Sequence, residues 1–204
     1  MSKKPVIVFE GIECSGKSFH INEVTKYLKK RKIDHIKIRE PGGSKNSEKI
    51  RRLILNSKNK FNKDTDLLLY LSARSENIPE LKKNYKKKII LIDRFVDSTI
   101  AYQHYGLGVN LPLIKIINNH LLKKFKIDFT FLNIVNEKNM VLRLKKRKKI
   151  NRYDQFKKNF YKNVQNGFIK LSKNKTKRYM IIDSNLNINA NKNIIIKKIE
   201  QLIK

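Results

Sequence analysis

The run Gly11-Ile12-Glu13-Cys14-Ser15-Gly16-Lys17-Ser18 is a complete GxxxxGK[ST] match. It follows the apolar stretch Val6 to Phe9 and precedes an amphipathic stretch carrying Ile21, Val24 and Leu28. That is the strand, loop and helix context in which the motif cradles phosphates. Its glycines let the backbone curl so that N–H groups face phosphate oxygens, and the following helix sets its positive dipole end there. Lys17 is suited to the β- and γ-oxygens of a nucleoside triphosphate, and Ser18 to Mg²⁺. Cys14 sits among those donors and beside Lys17, a setting that favours a thiolate. It is read either as a small residue at a tolerant position or as a fast-reacting thiol that the bound nucleotide protects.

A second group of residues bears on what receives the phosphate. Arg39-Glu40-Pro41-Gly42-Gly43 closes one strand candidate, Asp93-Arg94-Phe95 closes another, and Ser98 to Gln103 follows on a helical stretch. In a parallel α/β sheet ligands bind beyond the carboxyl ends of the strands, which is where these residues fall. Arg39, Arg74 and Arg94 can clamp a phosphate bidentately, as lysines cannot.

The order EG-x₄-GKS, REPGG, Ser72-Ala73-Arg74 and DRF-x₂-ST-x-AYQ resembles the thymidylate kinase family over essentially the whole chain. The resemblance implies transfer of the γ-phosphoryl group of ATP to dTMP, with Mg²⁺, in dTTP synthesis. It implies that Arg74 and Arg94 hold the dTMP phosphate, Arg94 also lying near the transferring group, and that Arg39 and Glu40 shape the same site. Gln103 resembles the residue that reads the thymine edge, Thr99 lies beside the base, and Tyr102 packs under the deoxyribose and disfavours a 2′-hydroxyl. Tyr70 matches a stacking phenylalanine; as a phenol it needs a partner when buried. Asp93 resembles a carboxylate acting on Mg²⁺ through water, and Glu13 the acidic residue near the sugar 3′-hydroxyl. The phosphate loop carries no arginine, so the resemblance points to a lid about residues 145–153, with Arg147 and Arg152 as candidates for the cation that steadies the transition state. It also implies a homodimer packed through helices.

The elements that must position these groups are legible in the hydrophobic pattern. Strand-length apolar runs at Val6 to Phe9, His35 to Ile38, Ile89 to Ile92, Phe129 to Val135 and Tyr179 to Ile182 alternate with helical periods. The helices are expected over Lys17 to Lys30, Ser47 to Leu55, Asp64 to Asn77, Ser98 to His104, Pro112 to Lys124, Glu137 to Lys146, Gln155 to Ser172 and Ala190 to Ile203. This alternation predicts an α/β chain, a three-layer P-loop NTPase fold with a five-stranded parallel sheet flanked by helices and a short lid. The 204 residues are read as one domain, 1–204.

Composition narrows the classes further. One cysteine excludes an intramolecular disulfide framework and a zinc ribbon, and fits a reducing cytoplasm. The N-terminal apolar run is too short for a signal peptide or a membrane span. The net charge of +31 comes from 48 Lys+Arg against 17 Asp+Glu, mostly lysine spread along the chain beside abundant Asn and Ile, all with AT-rich codons. The charge is therefore read as a solvated surface that helps recruit ATP and dTMP, with no specific nucleic-acid partner. A different acceptor in the same fold, a nucleic-acid-binding P-loop protein and a regulatory nucleotide module are the competing readings. The tyrosine, threonine and glutamine of the base pocket speak against the first, and the acceptor arginines against the last.

Overall fold

The computed structural model describes residues 4–174 and 176–204. Met1 to Lys3, at the start of the N-terminal stretch read above, lie outside the described residues. Five parallel strands form one sheet in the order β2-β3-β1-β4-β5: β1 Val6–Gly11, β2 His35–Arg39, β3 Ile89–Asp93, β4 Phe129–Ile134 and β5 Tyr179–Asp183. The order reverses about β1, so the phosphate loop leaves the sheet at its switch point.

Alternation along β1 divides the core between the two sheet faces. Ile7 and Phe9 pack with Ile89, Leu91, Phe131 and the helices α1 (Lys17–Lys30) and α8 (Ile188–Ile203) through Ile21, Val24, Leu28, Ile195 and Ile199. Val6 and Val8, with Ile90 and Ile92, face the other layer, where α3 (Lys63–Asn84) contributes Ile78 and Leu81. Both faces of the central strands are buried, which explains why they read as continuous apolar runs. On that second side lie also α2 (Lys45–Leu55), α5 (Leu111–Leu122) and α7 (Lys158–Lys173); α6 (Glu137–Lys145) leads into the lid segment.

Three elements differ from expectation in ways that matter to the site. Helix α3 runs through Pro79 to Asn84 instead of stopping at Asn77. Burial of Ile78 and Leu81 outweighs the backbone donor that proline lacks. The stretch expected to begin a helix at Gln155 is a separate 3₁₀ turn, Arg152–Gln155. The Asn151 side chain accepts from Tyr153 and Asp154 N–H while the Asp154 carboxylate accepts from Asn151 N–H, a reciprocal cap that closes the turn before α7 starts. Helix α4 is α-helical over Val96–Thr99 and continues as a π-helical segment over Ile100–Gly106. Thr99, Tyr102 and Gln103, spaced i, i+3 and i+4, share one face of this continuous helix, and all three line the same cavity.

Candidate active site

The phosphate loop bends because two of its glycines do what other residues cannot. At Gly11 (φ 137°) a Cβ would stand 2.2 Å from the Asn133 carbonyl oxygen on the neighbouring strand. Gly16 takes φ 86° at the start of α1, a left-handed conformation with little cost only for glycine. Ser184 at the end of β5 donates to the Ser15 carbonyl (2.6 Å), and Arg143 at the end of α6 donates to the Cys14 and Ser184 carbonyls (3.0 and 2.6 Å), so the loop is braced from behind.

Lys17 is buried and donates to the Gly11 and Ile12 carbonyls at 2.9 and 2.7 Å. Burial, with the nearby Arg94 charge, pushes its pKa down to about 7, and phosphate oxygens would supply the countercharge that keeps the ammonium charged. Ser18 and Asp93 meet across the loop, the hydroxyl donating to the carboxylate at 3.4 Å. Ile12 belongs to the loop through its backbone: its side chain is buried in the core and its carbonyl accepts from Lys17. At Cys14 the surroundings favour the reading of a small residue at a tolerant position over that of a fast-reacting thiol. Burial pushes its thiol pKa up from the usual value, opposing the thiolate that the loop context favours.

From this loop one cavity of about 400 Å³ extends to the acceptor-side residues. Lys17, Arg39, Arg51, Arg74, Arg94, Arg143 and Arg147 line it against Glu13, Glu40 and Asp93, an excess of positive charge that suits polyanionic ligands. Arg94 stands where the two halves meet. Its backbone is left-handed at φ 66°, an uncommon conformation for a non-glycine that concentrates at functional sites. Its guanidinium donates to the Gly11 carbonyl (2.7 Å) and the Glu13 carboxylate (2.9 Å) and lies over the Tyr102 ring at 5.0 Å. Tyr102 in turn donates to Glu13 at 2.5 Å. Burial opposes ionisation of Glu13, but Arg94 and Lys17 overcome it and hold the carboxyl below its usual range.

On the acceptor side Arg74 is buried, donating to Glu40 at 2.8 Å and to the Asn118 side-chain oxygen at 2.5 Å. Burial outweighs Arg74 at Glu40, whose carboxyl is pushed up and whose Oε1 has no hydrogen-bond partner among the described residues. Arg39 stands at the rim, forked onto Glu48 with Nη2 3.0 Å from both carboxylate oxygens. Arg51, on α2, holds the Pro41 carbonyl at 2.6 Å. Tyr70 packs edge-on against Tyr153 with ring centroids 5.9 Å apart.

The lid segment folds down onto this half. Arg147 lines the cavity, is 41% exposed and pairs with Asp154 at 2.5 Å. Arg152 turns elsewhere: it donates to the Ile54 carbonyl (2.9 Å), pairs with buried Asp66 on α3 and does not line the cavity. Of the two lid arginines, only Arg147 is therefore placed toward the site, a correction to the pairing expected from sequence.

Several participants went unnoticed in the sequence. Asn118, Asp66, Tyr153, Arg143 and Arg51 come from elements distant in the chain, with no motif to announce them. Glu10 carried a signal, being a lone acid in an apolar strand directly before the loop. Its carboxylate, fully buried, accepts from Phe95 N–H (2.9 Å), Ser98 N–H (3.2 Å) and the Ser98 hydroxyl (2.5 Å). Burial, with the Asp97 charge beside it, raises its pKa to about 7.

A braced phosphate loop at the switch point of a parallel sheet, continuous with a second arginine-lined recess, defines a P-loop phosphotransferase that acts on nucleotides. Residues 9–195 match the sequence profile described as thymidylate kinase. A thymidylate kinase of Acholeplasma laidlawii is 36% identical over 196 residues, covering 95% of this chain and 97% of that protein. One of Kosmotoga olearia is 33% identical over 187 residues, covering 89% and 88%. The crystal structure of thymidylate kinase from Ehrlichia chaffeensis superposes with a TM-score of 0.77 at 29% identity, covering 96% of this chain and 98% of that one. The chain belongs to the thymidylate kinase family, whose reaction is the phosphorylation of dTMP from ATP.

Proposed function

We infer that this chain carries out its family's reaction, ATP + dTMP → ADP + dTDP, with the triphosphate on the Gly11 to Ser18 loop and dTMP in the recess beyond Arg94. The observation that carries the assignment is Arg94, held against the Gly11 carbonyl and Glu13 of the phosphate loop while lining the cavity shared with Arg74, Tyr70, Thr99 and Gln103. A cation fixed between donor and acceptor neutralises charge where it develops in transfer, the main demand of this chemistry. The dTMP phosphate is already ionised, so no general base is needed. Lys17 holds donor phosphates, Arg74, Arg39 and Glu40 shape the acceptor's end, and Arg147 supplies the lid cation. Tyr102 and Glu13, hydrogen-bonded to each other, form the sugar wall.

Ser18 and Asp93 offer a hydroxyl and a carboxylate within hydrogen-bond distance of one another, the sparse oxygen set that Mg²⁺ accepts while keeping water and phosphate oxygens. They would hold the ion, which would supply charge neutralisation to the donor phosphates. Among the described residues no group of three or more His, Cys, Asp or Glu is arranged to hold a metal. No helix among the described residues is long and apolar enough to cross a membrane. We place the protein in the cytoplasm as a homodimer, for which exposed Leu68 on α3 and Leu113 and Ile116 on α5 are suitable contact residues.

The test is ADP release with ATP·Mg²⁺ and each of dTMP, dUMP, dCMP, dGMP, AMP and UMP, repeated for Arg94→Ala. Preference for dTMP and loss of roughly 10²- to 10³-fold in kcat for the variant are expected, the scale for removing one preorganised donor. Preference for another acceptor would overturn the base-side assignment, and unimpaired turnover by the variant would overturn the role of Arg94.

A further inference from the structure

Asp66 does not line the cavity, yet Gln103 and Tyr153, which do, converge on it together with Arg152 of the lid turn. Asp66 is 1% exposed on α3. Its carboxylate accepts from Gln103 Nε2 at 3.1 Å and from the Tyr153 hydroxyl at 2.5 Å, and it is paired with Arg152 of the lid turn. The Tyr153 oxygen is itself 3.2 Å from Gln103 Nε2. The same ring packs edge-on against both Tyr70 and Tyr102.

A carboxylate accepts and cannot donate, so Asp66 must face the NH₂ end of the Gln103 amide. The Tyr153 hydroxyl donates its proton to Asp66, which leaves its oxygen as a second acceptor for the same NH₂ group. Both constraints exclude the flipped amide, in which a carbonyl oxygen would meet two acceptors in a buried setting. The end of the amide left for a ligand is therefore its carbonyl oxygen. That oxygen accepts from a base edge carrying a ring N–H, as thymine does at N3. Cytosine presents a lone pair at the same position, and a site with a fixed acceptor rejects it.

We propose that Asp66 is a positioning residue for base specificity: it locks the Gln103 amide with its carbonyl toward the cavity, selecting a pyrimidine with N3–H over cytosine, and joins that lock to the docked lid through Tyr153 and Arg152. The proposal rests on Gln103 facing the base, as assigned above. Lid and selector thus share one buried anion.

The experiment compares kcat/KM for dTMP and dCMP in the wild type, Asp66→Asn, Asp66→Glu and Gln103→Leu, with folding checked by circular dichroism and thermal unfolding. Asparagine can donate or accept, so Asp66→Asn frees the amide to flip; the dTMP:dCMP ratio should fall by roughly ten-fold or more. Any weakening of the lid slows both substrates and cancels in the ratio. Asp66→Glu keeps an acceptor-only partner and should retain most of the preference. Should Asp66→Asn fail to fold, the smaller Asp66→Ser carries the same prediction. An unchanged ratio in Asp66→Asn beside a reduced one in Gln103→Leu would overturn the lock alone. An unchanged ratio in Gln103→Leu would overturn the base-reading role of Gln103 and the lock with it.

Discussion

Glu10 shows how one buried group adds a pH dependence that no surface residue would. Its three donors come from Phe95, just before α4, and from Ser98 in the first turn of α4, so the carboxylate braces the start of the helix that carries Thr99, Tyr102 and Gln103. Its carboxyl titrates at about 7 in the folded chain against 4.5 for the free group. Below the lower value both states hold the proton. Between the two, the native state keeps a proton that the unfolded chain has released, so this group's contribution to stability falls as pH rises, and it levels off above the folded value. Glu10→Gln removes that loss. Relative to wild type, the variant should gain on the order of 3 kcal/mol between about pH 4 and pH 8, read as a growing difference in Tm. A difference constant with pH would show that Glu10 ionises normally. Arg94 belongs at the same scale, since its placement depends on a left-handed backbone and two bonds of its own.

At the scale of elements, the lid divides its work between two arginines that the sequence leaves equivalent. Arg147 lines the cavity, whereas Arg152 ties the 3₁₀ turn to α2 and α3 through the Ile54 carbonyl and Asp66. Arg147→Ala should therefore lower kcat by ~10³-fold, the scale of a donated transition-state arginine, with little change in KM for dTMP. Arg152→Ala should raise that KM instead and speed tryptic cleavage within the exposed lysine-rich segment 145–149, because an unlatched turn opens locally more often and lets the backbone enter a protease. Equal kinetic signatures for the two variants would refute the division. The helix running from α4 into the π-helical segment is the other element-scale device, since it sets Thr99, Tyr102 and Gln103 along one cavity wall.

Over the whole molecule, the net charge of +31 surrounds a cavity that is itself rich in cations. Such a field concentrates polyanionic substrates and is screened by salt. Raising ionic strength from about 0.05 to about 0.3 M should lower kcat/KM for ATP several-fold while kcat changes less than about two-fold. A comparable fall in kcat would mean that salt disturbs the chemistry rather than the encounter.

The sequence by itself determined the phosphate loop, the strand succession and the acceptor arginines. Each rests on a local signal: glycines at fixed offsets, an apolar run with its flanking turn, or a short motif at a strand end. These features survive because the chain supplies both the group and its positioning within a few residues. What only the tertiary structure decided are the contacts between distant segments. Asp66 meets Arg152 and Gln103, Arg74 meets Asn118, and Glu10 meets Ser98 only once α3, α4, α5 and the lid are packed on the sheet. The same packing carried α3 past Pro79, buried the Ile12 side chain and raised the Cys14 thiol's pKa. A side chain's type can be read from the sequence, but its charge state and its partner depend on how much water the fold removes and on which distant group replaces it.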